Sequence, residues 1–323
     1  MDFIRFVFVS IMITILSVES GAIPASSMNK RAVTNSSKAG LGWPNADSVD
    51  IKQYQNLGKI SWYYTWSVWP IQQKTNFEFV PMLWGPKTVK EFQEKINTTL
   101  QNATPNITAV LGMNEPEQPG QSNMTVTEAV DMWKANMEPL RPQYNVRLGS
   151  PVVSSGPAGK IWIGDFLKAC NTSCSVDFIA LHWYGTDANA FIAYLWDFYY
   201  AFNKTIWVTE WACHDFVNLK NQCSETQVID FLNKTQSFMD NSTFVERYAW
   251  YGAMEDTTDV NGYNAIMDKK GKINSLGLQY GGDATSIKNG TSVSLSSGLT
   301  IGDVSPLTVM LFTGFISLSL VFL

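Results

Sequence analysis

Short apolar runs recur along this chain at intervals of about 30 residues, and segments with helical periodicity separate most of them. Alternating strands and helices of this kind build a parallel sheet that is covered by helices. Eight such units in roughly 250 residues are what an eight-stranded (β/α) barrel requires. The predicted strands are Leu41 to Trp43, Ile60 to Trp66, Phe77 to Trp84, Ala109 to Asn114, Val146 to Ser154, Val176 to Trp183, Ile206 to Thr209 and Tyr248 to Gly252.

Helical patterns between the strands favour the same architecture. They cover Val89 to Leu100, Thr125 to Leu140, Asp187 to Phe202 and Val228 to Met239, and a capping box at Ser224 opens the last one. An open doubly wound sheet is the rival fold, but its first turn is usually rich in glycine, and Gly40-Leu41-Gly42 lacks the third glycine. We therefore predict an α/β fold, with a (β/α)8 TIM barrel as the single catalytic domain at residues 40–282.

Two of the predicted strands end in a carboxylate. Glu115 follows the fourth strand, and Glu210 follows the seventh. Active sites of such barrels lie at the carboxyl ends of the strands, so we expect these side chains to meet across one mouth. Most glycoside hydrolases need two carboxyl groups, one to protonate the leaving oxygen and one to attack or to activate water. The pair predicts a sugar-cleaving enzyme, with the carboxyl groups ~5 Å apart as in retaining enzymes.

The two ends of the chain predict export and lipid anchoring. A basic residue precedes an apolar run, which is typical of a signal peptide over residues 1–22, and a pro-segment or linker follows over 23–39. A Ser/Thr-rich linker over 283–305 precedes an uncharged tail over 306–323, which is the pattern of a GPI-anchor signal. A C-terminal membrane helix is the alternative, but no basic residue follows the tail. Asn289-Gly290 and Ser296-Ser297-Gly298 are both candidates for the attachment site.

Glycosylation sequons also indicate a secreted or cell-surface protein. They begin at Asn35, Asn97, Asn102, Asn106, Asn123, Asn171, Asn203, Asn233, Asn241 and Asn289.

The cysteines of an exported protein are expected to form disulfides. Three pairings are possible for the four of them. Cys170 with Cys174 and Cys213 with Cys223 close the shortest loops, and we predict these two bridges. Because secreted cysteines are usually bridged, we expect no metal site, although zinc is the other interpretation of such a cluster.

The net charge of −5 argues against a nucleic-acid partner, since phosphate neutralisation needs a basic surface. We also expect a monomer without a cofactor.

Five motifs occur in order along the chain. They are Gly40-Leu41-Gly42-Trp43, Leu111-Gly112-Met113-Asn114-Glu115-Pro116, Phe166-Leu167-Lys168-Ala169-Cys170 with Cys174, Asp177-Phe178-Ile179-Ala180-Leu181-His182-Trp183-Tyr184, and Thr209-Glu210-Trp211. Their combination resembles glycoside hydrolase family 128, a family of fungal-type β-1,3-glucanases in clan A. The resemblance runs from Gly40 to Tyr280, with departures at Glu117, where Asp is expected, and at Trp211, where Phe is common.

The resemblance implies roles for the residues at the strand ends. Glu115 is expected to be the acid/base and Glu210 the nucleophile. Asn114 is expected to donate a hydrogen bond to the sugar 2-hydroxyl, unless it only forms the turn. Tyr184 is expected to hydrogen-bond Glu210 and keep it ionised, with His182 beside it as a second substrate contact or as a core histidine. We expect His214 at the surface.

Aromatic residues complete the prediction, since the chain holds 12 Trp, 12 Tyr and 18 Phe. The tryptophans at predicted strand ends are expected to stack on sugar rings, although any single one is more often part of a core; they are Trp43, Trp84, Trp183, Trp211 and Trp250. The expected function is a retaining endo-β-1,3-glucanase, or a glucan-remodelling enzyme, at the cell surface or wall. The alternatives are a glucan-binding protein without activity that uses the same groove, and an anchored structural glycoprotein.

Overall fold

The computed structural model describes residues 37–283 of the 323-residue chain. The predicted signal peptide, nearly all of the predicted N-terminal segment and of the Ser/Thr-rich linker, and the apolar tail lie outside these residues. Eight strands follow one another in the predicted order. They are β1 (Ala39–Gly42), β2 (Ile60–Tyr64), β3 (Glu78–Phe79), β4 (Ala109–Val110), β5 (Arg147–Leu148), β6 (Ile179–Gly185), β7 (Ile206–Cys213) and β8 (Val245–Trp250).

The strands form a ring in which every neighbouring pair is parallel. Six strands pair in the order β3-β2-β1-β8-β7-β6, and β4 pairs with β5. Parallel bridges then join the remaining neighbours, Met82 with Leu111 between the third and fourth strands and Gly149 with Phe178 between the fifth and sixth. The ring is therefore continuous, and the predicted (β/α)8 barrel is confirmed.

Helices cover the outside of the ring. The α-helices are α1 (Val89–Asn102), α2 (Val126–Asn136), α3 (Leu140–Tyr144), α4 (Pro157–Cys170), α5 (Ala188–Phe202), α6 (Glu225–Asn241) and α7 (Ser275–Gly281). A 3-10 helix, Ile51–Tyr54, follows β1, and a loop joins β2 to β3. Within the described range, no helix is both long enough and apolar enough to cross a membrane.

Two helices begin with a capping box, and the one at Ser224 was predicted. Thr125 and Ser224 each cap a helix through a complete capping box, which satisfies backbone N–H groups that have no partner within the helix. The predicted helix from Thr125 to Leu140 is divided in two, because Pro139 has no backbone N–H to continue it. α3 begins after this proline.

Side chains inside the ring and outside it form two separate apolar clusters. The inner cluster is made of alternate residues along the strands, as the two-residue period of a strand requires; its members are Trp62, Tyr64, Val80, Met82, Ala109, Leu111, Val152, Phe178, Ala180, Trp207 and Ala249. The outer cluster packs the opposite faces of the strands against the helices. Gly40 faces Trp62, and a Cβ atom there would lie 2.2 Å from that indole, so only glycine leaves room for it.

Both predicted disulfides are confirmed. Cys170 is bonded to Cys174 at the end of α4, and Cys213 at the end of β7 is bonded to Cys223. The second bridge closes the segment that follows Glu210 along one side of the barrel mouth.

Candidate active site

A groove of about 990 Å³ opens at the carboxyl ends of the strands. Its walls include Trp66, Trp84, Tyr184 and Tyr251, and Glu115 and Glu210 lie on the same surface. Barrel enzymes place their active sites at this end, and the groove is lined by aromatic rings and polar groups together. The two predicted carboxylates therefore lie in one cavity.

Glu115, His182 and Glu210 form a close cluster in this groove. One ligand atom from each of the three lies within 4.8 Å of the others, so a carboxylate oxygen of Glu115 is within that distance of one of Glu210. His182 lies between the two, with Nδ1 hydrogen-bonded to Oε1 of Glu115 at 2.8 Å and Nε2 at 3.4 Å from Oε1 of Glu210. The imidazole is completely buried.

A bulge in β7 turns Glu210 into the groove. Leu181 pairs with Val208 and His182 pairs with Glu210, so β7 contains one residue more than β6 at this point. Trp207 faces the inside of the ring and Val208 the outside, and strict alternation would then point Glu210 outward. The extra residue reverses this order, as bulges beside active sites do.

Hydrogen bonds from β6 and from the loop after β2 hold the Glu210 carboxylate. The indole N–H of Trp66 donates to Oε1 at 2.7 Å, and the hydroxyl of Tyr184 donates to Oε2 at 2.5 Å. The predicted contact between Tyr184 and Glu210 is thus confirmed. Trp66 lies in the loop after β2. In the ring, β1 and β8 separate β2 from β7, so this hydrogen bond crosses the barrel mouth.

Charge and burial act in opposite directions on this cluster. Burial raises the pKa of Glu210, as does the charge of Glu115, while the charge of His182 and the hydrogen bonds from Tyr184 and Trp66 lower it; the net shift is upward. Burial lowers the pKa of His182, but the charges of Glu210 and Glu115 outweigh it, so the imidazole stays protonated to higher pH than usual. Burial beside Glu210 raises the pKa of Tyr184, so its hydroxyl stays a donor.

The backbone is strained where two of these residues leave their strands. Glu115 has φ of 40° and Trp66 has φ of 53°, in the left-handed region that residues with a Cβ atom rarely adopt. Such conformations cost about 1–3 kcal/mol each and persist where the surroundings impose them. At Glu115, the backbone N–H donates to the carbonyl of Val152 on the next strand at 2.7 Å. This bond fixes the direction in which the carboxylate enters the groove.

Asn114 lies at the floor of the groove beside Glu115. Its Nδ2 donates to Oε1 of Gln121 at 3.2 Å, and its buried Oδ1 has no hydrogen-bond partner among residues 37–283. A buried amide with spare hydrogen-bonding capacity suits contact with a substrate hydroxyl. The role of Asn114 at the sugar stays a prediction.

Only one of the five predicted tryptophan platforms, Trp84, lines the groove of the described structure. Trp43, Trp211 and Trp250 are buried in the outer core, which corrects the prediction for them. The reason is that successive residues of a strand face opposite sides of the sheet, and in β7 the bulge shifts this alternation by one residue. Trp211 consequently points away from the groove, and its indole N–H donates to Thr235 of α6 at 3.1 Å.

Trp183 and His214 also lie elsewhere than predicted. Trp183 does not line the groove but packs against α5, where its ring centroid lies 5.0 Å from that of Tyr194 and 5.8 Å from that of Phe191. His214 is buried, not at the surface, and its Nδ1 accepts a hydrogen bond from the backbone N–H of Asn261 at 3.0 Å. Burial lowers the pKa of His214.

Sequence reasoning did not single out Trp66 and Tyr251 as site residues. The signal for Trp66 was present, because Trp62, Tyr64 and Trp66 alternate along β2 and its extension. Once Trp62 and Tyr64 are known to face inward, Trp66 is expected in the mouth. Tyr251 follows β8 in the same way, after inward-facing Ala249.

The cluster of two carboxylates and an imidazole also has the donor atoms of a metal site. In the part of the chain that the structure describes, however, both oxygens of Glu210 already accept hydrogen bonds from Trp66 and Tyr184. A metal ion would have to displace these donors, so the arrangement fits a hydrogen-bonded carboxylate better than a metal ligand.

The family model for the glycosyl hydrolase catalytic core matches residues 40–280, which is most of the chain and nearly all of the barrel. The chain belongs to the glycosyl hydrolase catalytic core family. Solved structures of glycoside hydrolase family 128 are similar to it throughout the barrel, and they confirm the resemblance found in the motifs. A subgroup I endo-β-1,3-glucanase from Amycolatopsis mediterranei, in complex with laminaritriose, is 31% identical, with a TM-score of 0.62 over 76% of this chain and 98% of that one.

Two further proteins are similar to the chain. A subgroup VI exo-β-1,3-glucanase from Aureobasidium namibiae is 26% identical, with a TM-score of 0.65 over 75% of this chain and 95% of that one. Alkali-sensitive linkage protein 1 of Schizosaccharomyces pombe is 30% identical over 252 residues, which are 76% of this chain. The chain spans 44% of the length of that relative.

Proposed function

We propose that this glycosyl hydrolase cleaves β-1,3-glucan with retention of configuration, with Glu210 as the nucleophile and Glu115 as the acid/base. One observation carries the proposal: carboxylate oxygens from the two residues lie within 4.8 Å of each other in a groove lined by aromatic rings. Retaining enzymes hold their carboxyl groups about 5–5.5 Å apart, and inverting enzymes leave about 6.5–9.5 Å for a water molecule.

In the first step, an oxygen of Glu210 attacks the anomeric carbon, and the bond from that carbon to the glycosidic oxygen breaks. Glu115 transfers its proton to the departing oxygen, which leaves as the hydroxyl of the released chain. In the second step, Glu115 takes a proton from water while the water oxygen displaces Glu210 from the anomeric carbon. Two inversions give net retention. An acceptor sugar hydroxyl in place of water would give glucan remodelling.

The neighbouring groups suit these roles. Trp66 and Tyr184 donate to both oxygens of Glu210, which stabilises the carboxylate before attack and orients it. His182 contacts both acids, and its imidazole, when protonated, lowers the cost of holding two carboxylates close together in a buried site. Asn114, one residue before Glu115, lines the same groove, and its side chain is proposed to hydrogen-bond the sugar 2-hydroxyl.

The solved relatives support β-1,3-glucan as the proposed substrate class. The endo-acting enzyme described above is in complex with laminaritriose. A curdlan-specific exo-β-1,3-glucanase from Blastomyces gilchristii, which is 26% identical to this chain, is in complex with glucose. Cleavage within the glucan chain is part of the proposal, supported by the 31% identity to an endo-acting enzyme. A product profile on laminari-oligosaccharides tests this: a ladder of shorter oligosaccharides is expected, and glucose alone as first product would contradict it.

The test of the function itself is a reducing-sugar assay on laminarin beside a binding assay on the same glucan. The wild-type protein is expected to release reducing ends, and both Glu115→Gln and Glu210→Gln are expected to bind laminarin but to release reducing ends at least about 10²-fold more slowly. Binding by the wild type without cleavage would replace the proposal with a glucan-binding protein. If the wild type neither binds nor cleaves laminarin, the remaining alternative is a structural glycoprotein.

We also propose that the protein is exported, glycosylated and held at the cell surface by a GPI anchor, and that it acts there as a monomer on wall glucan. Supporting this are the apolar segments at both ends of the sequence and the two disulfides, which persist in oxidising compartments. Phosphatidylinositol-specific phospholipase C is expected to release it from membranes. Retention of residues 306–323 in the mature protein would contradict the anchor.

A further inference from the structure

The glycine-rich motif at the start of the barrel has no role in the chemistry described so far. Gly42, at the end of β1, is beside Tyr64 in the strand pairing and faces the ring of Trp66. A Cβ atom on Gly42 would lie 2.8 Å from Cη2 and 3.3 Å from Cζ2 of that ring. Since φ of Gly42 is outside the left-handed region, the position needs glycine for space and not for backbone freedom.

Trp66 has little room to move away from such an atom. Its backbone is left-handed, with φ of 53°, and its ring packs against Tyr64 with centroids 4.6 Å apart and against Tyr251 at 6.2 Å. The Cζ2–Cη2 edge that Gly42 faces belongs to the same side of the indole as Nε1, which donates to Glu210. A push on this edge is therefore transmitted to the hydrogen bond.

A second contact shows that β2 supports the bulge of β7 across the barrel. The buried hydroxyl of Tyr64 donates to the carbonyl of Thr209, the residue before Glu210, at 2.8 Å. Tyr64 at the end of β2 and Trp66 in the loop after it thus reach the backbone and the side chain at the bulge, respectively. Gly42 is the neighbour that leaves the space for Trp66 in this arrangement.

We propose that Gly42 is a positioning residue for the nucleophile, which sets the direction of Glu210 by leaving the space in which Trp66 donates to it. This inference rests on the proposed role of Glu210. It assigns to the glycine of β1 an effect on a carboxylate of β7, although Gly42 itself does not touch the reacting atoms.

The first test compares Gly42→Ala, Trp66→Phe and the double variant by kcat/KM on laminari-oligosaccharides as a function of pH. Each single variant is expected to lose about 10- to 150-fold in kcat/KM, the range for one hydrogen bond to a charged group. The acidic limb of the profile is expected to move to higher pH, because the lost N–H had favoured the ionised form of Glu210. The double variant is expected to be no worse than Trp66→Phe, since both changes remove the same bond.

Gly164→Ala is the matched control. A Cβ there would meet only Cε1 of Phe202, at 3.9 Å, and the position lies in α4 away from the groove. Unchanged kcat/KM and pH limb are expected. Wild-type kcat/KM in Gly42→Ala, or additive losses in the double variant, would overturn the inference. If Gly42→Ala does not fold, Trp66→Phe still decides it, because an unmoved acidic limb in that variant refutes the role of the indole.

The second test does not depend on activity, so it separates this inference from the proposed function. In protein labelled with 15N-tryptophan, the indole N–H signal of Trp66, identified by its loss in Trp66→Phe, is expected to shift with pH as Glu210 ionises. The shift is expected to disappear in Glu210→Gln and in Gly42→Ala. A protein without glucanase activity that still shows this pattern would refute the proposed function only. A Trp66 signal that titrates unchanged in Gly42→Ala would refute the positioning role only.

Discussion

Removal of the Tyr184 hydroxyl is expected to weaken the nucleophile without disturbing the fold. Tyr184→Phe keeps the ring, which packs against Phe216 and Tyr251 with centroids 5.0 Å and 5.8 Å away. It deletes the O–H that donates to Oε2 of Glu210 at 2.5 Å. Hydrogen bonds to charged groups contribute about 1.5–3 kcal/mol, which corresponds to a loss of about 10- to 150-fold in kcat/KM.

The pH profile separates this role from simple contact with the substrate. The hydroxyl lowers the pKa of Glu210, so its loss is expected to move the acidic limb of kcat/KM, which reports on the free enzyme, to higher pH. Initial rates on laminari-oligosaccharides between pH 4 and 8 measure both effects. The loss is expected to be largest at the acidic end of that range.

Tyr54→Phe is the matched control, because its buried hydroxyl donates to the carbonyl of Ile266 at 3.2 Å in the outer layer. That variant is expected to lose about 1 kcal/mol of stability and no activity. The reasoning is refuted if Tyr184→Phe keeps wild-type kcat/KM, or if its activity falls while the acidic limb stays where it is.

Three further outcomes are expected. Glu115→Gln is expected to lower kcat/KM on laminari-oligosaccharides by about 10²–10⁴-fold, yet to spare bond cleavage in a dinitrophenyl glycoside, whose leaving group needs no proton; equal losses on both substrates would contradict its role as the acid. Folding raises the pKa of Glu210 above 4.5, so its contribution to stability is present below about pH 4.5 and is lost as pH rises through the folded value. Urea unfolding should therefore show Glu210→Gln gaining stability over the wild type as pH rises, and a pH-independent difference would be inconsistent with this. Reduction of Cys213–Cys223, or the double Cys→Ala variant, is expected to lower the free energy of unfolding by about 2–4 kcal/mol, measured with the Gly164→Ala variant as a reference.

The order of the elements was predictable from the sequence because each strand is a short apolar run and some of the helices, such as α6, begin with a capping signal. The convergence of Glu115 and Glu210 followed from topology alone, since the carboxyl ends of parallel strands share one mouth. The disulfides were predictable for a similar reason, as each pair is close in the chain and lies beside the end of an element.

The direction in which the side chains point was harder to predict from the sequence. Whether Trp211 faces the groove or the core depends on one extra residue in β7, and a bulge leaves no reliable mark in the pattern of apolar residues. Trp43 and Trp250 are in the core because their strands present alternate residues to the helices. The contact between His182 and Glu115 joins strands that are two positions apart in the ring, and only the packed barrel reveals it.

The central claim is that Glu115 and Glu210 act as a retaining pair. Proton NMR during the first turnovers on a laminari-oligosaccharide tests it most directly, because the anomeric configuration of the first product is visible before it equilibrates in solution. The account predicts that the β anomer appears first, since a carboxylate oxygen of each residue lies within 4.8 Å of the other. An α anomer as the first product would show that water attacks the sugar directly, and would contradict the assignment of Glu210 as the nucleophile.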